Sequence, residues 1–257
     1  MFYFFNRLLI TFVEKTNFSK WLFRFFTRIL PAPIATVRGV PIQIVIPLNH
    51  VGVYDQFKQW ESREPETLDW IDQFTADCVF FDVGSSFGTE SLYAALKANA
   101  PKKIVSFDVD LDASFLLAYN LALNKITRVD QYFLGLSAQT EFIRVSSPTN
   151  FACVANRPKY DRIHVNAPAM ALDEFISTTQ LIPDYVKIDV DGAELAVLSG
   201  MRQVLQNPQL KSVLIEVSGE TEEPVSDTFI KAGFKKTFVA ESSLSGIKTL
   251  NLIFTRQ

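Results

Sequence analysis

The sequence predicts a doubly wound α/β domain built on a mostly parallel seven-stranded sheet, with an antiparallel hairpin at its C-terminal edge and a helical extension at its N-terminus. Three observations carry this. Apolar runs end in acidic residues or glycine and alternate with stretches of helical spacing, the order that builds a parallel sheet covered on both faces. The two last runs, FKKTFVAES and LNLIFTRQ, have no helical pattern between them and so pair as antiparallel neighbours. A chain of 257 residues with 48% hydrophobic content and 23 Phe can bury the core that such a sheet requires.

Residues 1–33 form the predicted extension. Phe2, Phe5, Leu8, Leu9 and Phe12 fall on one helical face, with Arg7, Thr11 and Glu14 opposite. After a break at Thr16 to Ser19, Lys20, Arg24 and Arg28 make a stripe behind Leu22, Phe23, Phe26 and Leu30, and Pro31 ends the second helix. Five cations against Glu14 make residues 1–30 +4, which leaves −7 for the rest of a chain of net charge −3. The longest charge-free run after Arg7, LLITFV, is far below the ~20 residues a membrane span needs. The positive charge does not precede the apolar stretch as a signal peptide requires. Two readings remain, packing on the domain or lying on an anionic membrane surface.

Residues 34–257 form the predicted domain. TVRGVPIQIVI reads as short extended pieces turning at Arg38-Gly39, and Pro65 to Phe74 as a helix with Leu68, Ile71 and Phe74 on one face. Five strand runs follow: CVFFDVG, KIVSFDVD, VDQYFLGLS, YVKIDVDG and SVLIEVSGE. SLYAALKAN and SFLLAYNLALNK are helical between the first three. Ser146 to Tyr160 is a long irregular piece between the third and fourth strands, of the kind that serves as an active-site loop.

Composition excludes several functions. An acidic pI near 5.5 opposes broad adhesion to nucleic acid. Cys78 and Cys153 lie in no CxxC or Cys/His cluster, and His50 and His164 are far apart, so neither a disulfide framework nor a metal site is expected. The cysteine usage fits a reducing, cytoplasmic compartment, with peripheral membrane contact through residues 1–30 as the further option.

In a doubly wound sheet, ligands bind outside the carboxyl ends of the strands. Four ends here carry polar residues or glycine: Asp82 to Gly84, Asp108, Gly135 to Ser137, and Asp189 to Gly192. FFDVGSSFGTESL sets Gly84 and Gly88 around a strand-to-helix turn whose free N–H groups suit an anionic group. Its Gly-x-x-x-Gly spacing lacks the middle glycine of a dinucleotide fingerprint, which disfavours pyrophosphate. Asp108, 24 residues beyond Gly84, is placed to accept both hydroxyls of a ribose. Lys187 and Asp189 lie two apart on one face of the central strand. Either they form a buried ion pair, with Asp184 as another partner for Lys187, or Asp189 faces the ligand while Lys187 holds it.

These stretches together resemble the FkbM family of class I S-adenosylmethionine-dependent methyltransferases, whose fold is Rossmann-like. The resemblance covers Glu64 to the C-terminus through EPETLDWIDQF, FFDVGSSFGTESL, SFDVD, NLALN and LDEFI, and is most specific in DYVKIDVDGAELAVLSG. Ser85-Ser86 stands where the family has Ala-Asn, Asp108-Val109 where Glu-Pro is usual, and Asp191 where the signature has Glu. The resemblance implies S-adenosyl-L-methionine as cofactor, with Asp82, Gly84 and Gly88 about its methionine part and Ser85, Ser86, Glu90 and Asp189 as further binding residues. Asp108 would hold the ribose, and Leu136 and Ser137 would lie near the adenine. It implies methylation of a hydroxyl on a sugar, glycolipid or natural product. Such a transfer needs alignment and removal of a hydroxyl proton. Asp189 leads as base or orienting group, supported by Lys187, and Glu216 and His50 are alternatives. No Asn-Pro-Pro-Tyr or Pro-Cys motif follows the fourth strand, which opposes amino-methylation of adenine and C5-methylation of cytosine. The competing functions are a nicotinamide-dependent oxidoreductase and a non-catalytic membrane-associated binding module.

Overall fold

Strand formation in this chain follows from apolar runs that face helices on both sides. A computed structural model describes residues 32–45, 52–146, 164–242 and 249–257. All elements below lie in one compact unit, Ile34–Gln257. The extension at residues 1–31, His50, Cys153 and the irregular piece after Ser146 lie outside the described residues.

β1 (Ile34–Val37) and β2 (Val40–Gln43) form a hairpin, turned by Arg38 and Gly39 at φ 47° and 79°. Two helices follow, α1 (Gly52–Arg63) and α2 (Pro65–Asp72), with Pro65 starting the second where its missing N–H costs nothing. Then come β3 (Val79–Val83), α3 (Thr89–Leu96), β4 (Lys103–Asp108), α4 (Leu111–Leu123) and β5 (Val129–Phe133). The Asp110 carboxylate caps α4 by accepting the N–H of Ala113 at 2.9 Å. A second group is β6 (Gly135–Leu136), β7 (Glu141–Ser146), β8 (His164–Met170), α5 (Leu172–Thr179) and β9 (Tyr185–Ile188). The chain closes with α6 (Glu194–Ser199), β10 (Ser212–Ser218), α7 (Glu222–Lys231), β11 (Phe234–Ser242) and β12 (Thr249–Arg256).

Among the described residues the main sheet has seven strands in the order β11-β12-β10-β9-β3-β4-β5. β10, β9, β3, β4 and β5 are parallel, and β12 runs antiparallel to both β10 and β11. This is the doubly wound sheet with a C-terminal hairpin that the sequence predicts, and β9 is its central strand. Alternation along each strand feeds two cores. Phe81, Val83, Phe107, Val186 and Ile215 pack with Phe175, Val197 and Phe229 of α5, α6 and α7. Phe80, Ile104 and Leu214 pack with Phe57, Trp70, Leu92 and Leu117 of α1 to α4.

Several features differ from the sequence reading, β7 and β8 among them, since no strand was expected between VDQYFLGLS and YVKIDVDG. VDQYFLGLS is not one strand: β5 stops at Phe133, the Leu134 N–H bonds the Asp108 carbonyl, and β6 joins a three-stranded sheet ordered β6-β8-β7. Gly135 permits the crossover, because a Cβ there would stand 2.9 Å from Ile143 and 3.0 Å from Val109. α1 was also not anticipated, although its buried Val53, Phe57 and Trp60 follow helical spacing. No described helix is long and apolar enough to cross a membrane.

Register at the amino-terminal end of the sheet is clamped by Asp184. Its carboxylate accepts the Val79 N–H at 2.9 Å and pairs with Lys211 at 2.9 Å, so one side chain ties the starts of β3 and β10 to β9. Asp184→Ala leaves the Val79 N–H unpaired in a buried place, at a cost of about 1 to 3 kcal/mol. Urea unfolding should show that loss. Unchanged stability contradicts the clamp.

Candidate active site

A crevice forms where the winding of the sheet reverses. From β3 the chain runs to β4 and β5 on one side and then returns to lay β9 on the other, so the loops leaving β3 and β9 diverge at their carboxyl ends. A cavity of about 330 Å³ lies there.

Its first half is built from the loops after β3, β4 and β5. Gly84, at φ 80°, turns the chain out of β3, and a Cβ on it would stand 1.7 Å from the Asp189 carbonyl oxygen. Only glycine allows that approach. The N–H groups of Gly84 and Ser85 both bond the Phe107 carbonyl, while the Ser86 N–H reaches Asp108 Oδ2 at 2.6 Å. Asp108 Oδ1 accepts the Asp110 N–H at 2.7 Å. Burial pushes the Asp108 carboxyl up to about 6, against the pull of these N–H donors. The Val109 N–H is a third donor, and with about four lone-pair sites on a carboxylate Asp108 keeps capacity for a ligand. Phe107, Val109, Ala113, Leu134, Leu136 and Ile143 supply an apolar wall beside it.

The second half comes from one face of the sheet. Strand alternation and register set Asp82 beside Lys187, with Glu216 on the same face of β10. Lys187 is 3% exposed, and its Nζ lies 2.9 Å from Asp189 Oδ2 and 3.2 Å from Glu90 Oε1. Burial opposes its charge, but Asp189, Glu90, Asp82 and Glu64 outweigh burial and hold Lys187 well above its ordinary value. One cation therefore serves several carboxylates. Burial raises Asp82 to about 7 and Glu216 to about 8, each pushed further by a neighbouring carboxylate, Glu90 and Asp189 respectively. Burial and then Glu90 raise Glu64.

The cavity is lined by Gly84, Ser86, Glu90, Asp108, Leu136, Lys187, Asp189 and Glu216 of the residues singled out from sequence. Four others do not line it. Asp82 is fully buried, with Oδ2 accepting the Ser91 hydroxyl at 2.5 Å and Oδ1 without a hydrogen-bond partner. Ser85 is also fully buried, and its hydroxyl has no partner. Gly88 faces α4, where a Cβ would meet Leu117 at 2.3 Å, so its role is helix packing. Ser137 is held away by bonds from its N–H to Met170 and from its hydroxyl to Glu141. The two readings of Lys187 and Asp189 also merge, since Asp189 both pairs with Lys187 and lines the cavity. Asp184 pairs with Lys211 instead. His50 lies outside the described residues.

Sequence reasoning missed Arg63, Glu64 and Thr249. Glu64, 8% exposed at the α1–α2 junction, lines the cavity, and Arg63 donates to its Oε1 at 3.1 Å. No periodicity marks a junction residue; the only signal was Pro65, which fixes the helix start beside it. Among the described residues no group of three His, Cys, Asp or Glu side chains is arranged to hold a metal.

Comparison with known proteins bears on the family and the fold. The Methyltransferase FkbM domain matches residues 82–235, more than half of the chain. A hexuronic acid methyltransferase, AglP, of Haloferax volcanii is 27% identical over 148 residues, which span 57% of this chain and 59% of that protein. The crystal structure of Methyltransferase FkbM from Methylobacillus flagellatus KT aligns with TM-score 0.51 and 14% identity, over 81% of this chain and 56% of that one. Magnesium protoporphyrin IX methyltransferase from Synechocystis PCC 6803, solved with bound S-adenosylmethionine, aligns with TM-score 0.51 and 9% identity, over 83% and 86% of the two chains. At these identities the structural likenesses show the fold. The chain thus spans under two thirds of the first two relatives, and it belongs to the FkbM methyltransferase family.

The raised carboxyls make stability depend on pH. Folded Asp82 and Glu216 keep protons up to about 7 and 8 that the unfolded chain releases near its ordinary carboxyl values. The folded state then binds more protons, so their contribution is complete below the unfolded values and is lost as pH rises through 7 and 8. Thermal melts should show a higher Tm at about pH 6 than at about pH 8.5, with Glu216→Gln narrowing the gap. A Tm that climbs across this range contradicts the assignment.

Proposed function

We propose that this member of the FkbM methyltransferase family uses S-adenosyl-L-methionine to methylate a hydroxyl of a sugar, glycolipid or natural product. The observation that carries it is the meeting of Asp108 and Asp189 in one cavity on either side of the Gly84 turn. The residues fit the cofactor. The apolar wall from Val109 to Ile143 suits adenine, and the Asp108 carboxylate suits the vicinal ribose hydroxyls. The close approach at Gly84 leaves backbone, not side chain, beside the methionine part. When bound, the cofactor supplies an electrophilic methyl group.

What remains for the chain is alignment and a proton. Asp189, at the end of β9, takes or orients the acceptor's hydroxyl proton. Lys187 fixes the Asp189 carboxylate through the 2.9 Å contact and is itself held by Glu90. Glu216 is the alternative acceptor of that proton. A sugar acceptor is supported by the hexuronic acid methyltransferase among the relatives. Residues 1–33 are proposed as a separate helical extension, with the +4 charge on 1–30 as a peripheral contact to an anionic membrane on the cytoplasmic side.

Two variants separate the roles. Asp108→Ala removes charge-assisted bonds and should weaken S-adenosylmethionine binding by at least about tenfold in calorimetry. Asp189→Asn should keep that binding and the fold, because Lys187 retains Glu90, while labelled-methyl transfer to a panel of sugar acceptors drops by about 10². Full affinity in Asp108→Ala, or full turnover in Asp189→Asn, removes the corresponding role. A wild-type chain that binds the cofactor yet methylates nothing in the panel favours the non-catalytic binding module.

A further inference from the structure

The half of the cavity over β9 and β10 holds more negative than positive groups. Glu64, Glu90, Asp189, Asp191 and Glu216 line it, against Arg63 and Lys187. Both cations are already engaged, Arg63 with Glu64 and Lys187 with Glu90 and Asp189. A ligand placed here therefore meets uncompensated carboxyl groups. A sulfonium has no N–H or O–H to donate, so nearby negative charge is the main means by which a protein recognises it. The thioether left after methyl transfer has the same shape less one methyl group, and no charge.

We infer that Glu64 and Glu216 read the charge on the donor's sulfur, favouring the sulfonium of S-adenosylmethionine over the thioether of S-adenosylhomocysteine and giving up a proton when the sulfonium binds. This rests on the methyltransferase reading above. Glu216 on β10 faces Asp189 and Lys187 of the β9 segment, Glu64 at the α1–α2 junction, and the Thr249 hydroxyl of β12. Glu64 faces Glu90 of α3, Lys187, Arg63 and Asp189. Burial holds both above their ordinary values, and Glu216, near 8, has a proton to lose at neutral pH when a cation arrives.

The same groups balance the reaction. As the bond from sulfur to the methyl carbon breaks and the bond from the acceptor oxygen forms, the S–C electron pair returns to sulfur. The hydroxyl proton passes to a carboxylate of the cluster. One positive charge disappears at sulfur while one negative charge disappears at the carboxylate, so the net charge of the cavity is unchanged. The product then faces a site that has recovered its proton and has lost its hold on the sulfur.

Calorimetric titration of the full chain with each compound, at about pH 7.5 in phosphate and in Tris, tests this through the different ionisation enthalpies of the buffers. S-adenosylmethionine should bind at least about tenfold more tightly than S-adenosylhomocysteine, the equivalent of one pKa unit, and release protons that S-adenosylhomocysteine does not. The Glu64→Gln, Glu216→Gln double variant should bring the two affinities together and abolish the release, leaving S-adenosylhomocysteine affinity within about twofold. Equal or tighter binding of the thioether by the wild type, or equal proton exchange for both compounds, overturns the inference. If the double variant does not fold, the wild-type buffer comparison still decides. If neither compound binds, the cofactor reading falls first, and that outcome is distinct from binding without discrimination.

Discussion

Lys187 is the constraint on which the rest of this site depends. It is a buried cation on the central strand, with carboxylates in contact from β9's end and from α3 and with Asp82 beside it in the sheet register. A lone buried ammonium is costly, and so is a lone buried carboxylate. Each is tolerable here only because of the other. The ion pair fixes Asp189 at the strand's end, and the Asp189 carbonyl in turn fills the space that forces glycine at position 84. The turn at Gly84 then presents the Ser86 N–H to Asp108. Charge at the sheet centre thus propagates, through contacts of under 3.5 Å, to both halves of the cavity.

The polar face of the sheet has a second consequence. Asp82, Lys187, Glu216 and Asn251 project from the side covered by α1 to α3, where helices must answer them. Glu66 of α2 accepts from Asn251 at 2.8 Å, Trp70 donates to Ser212 at 3.0 Å, and Ser91 of α3 bonds Asp82. The opposite face of the same strands is mainly apolar, with Arg256 at the end of β12 as its charged exception. The asymmetry places the chemistry on one face and leaves the other to stabilise the fold mainly by burial.

Much of this was legible in the chain. Runs such as CVFF, KIVSF and SVLIEV are continuous because both faces of a parallel sheet are covered, and their order fixed the winding and the crevice. Lys187 and Glu216 were visible as charges within such runs. Glu64 was not, because it sits on no periodic face and reaches the cavity only when α2 packs on the sheet. Ser85, Gly88 and Ser137 were adjacent in sequence to true lining residues, and adjacency in a turn does not fix which way a side chain points. β6 was hidden by Leu134, which keeps the apolar run continuous through a change of sheet.

Lys187→Met, compared with the wild type in unfolding free energy at neutral and at acid pH, tests the central claim most directly. Methionine fills the volume without the charge, so at neutral pH the carboxylates are left uncompensated and the loss should be about 3 to 5 kcal/mol. Near pH 5 the cluster can take up protons instead, and the loss should shrink to that of an ordinary core substitution of similar volume, about 1.5 kcal/mol or less. A loss of the same size at both pH values, or none at either, contradicts an architecture organised by one buried cation.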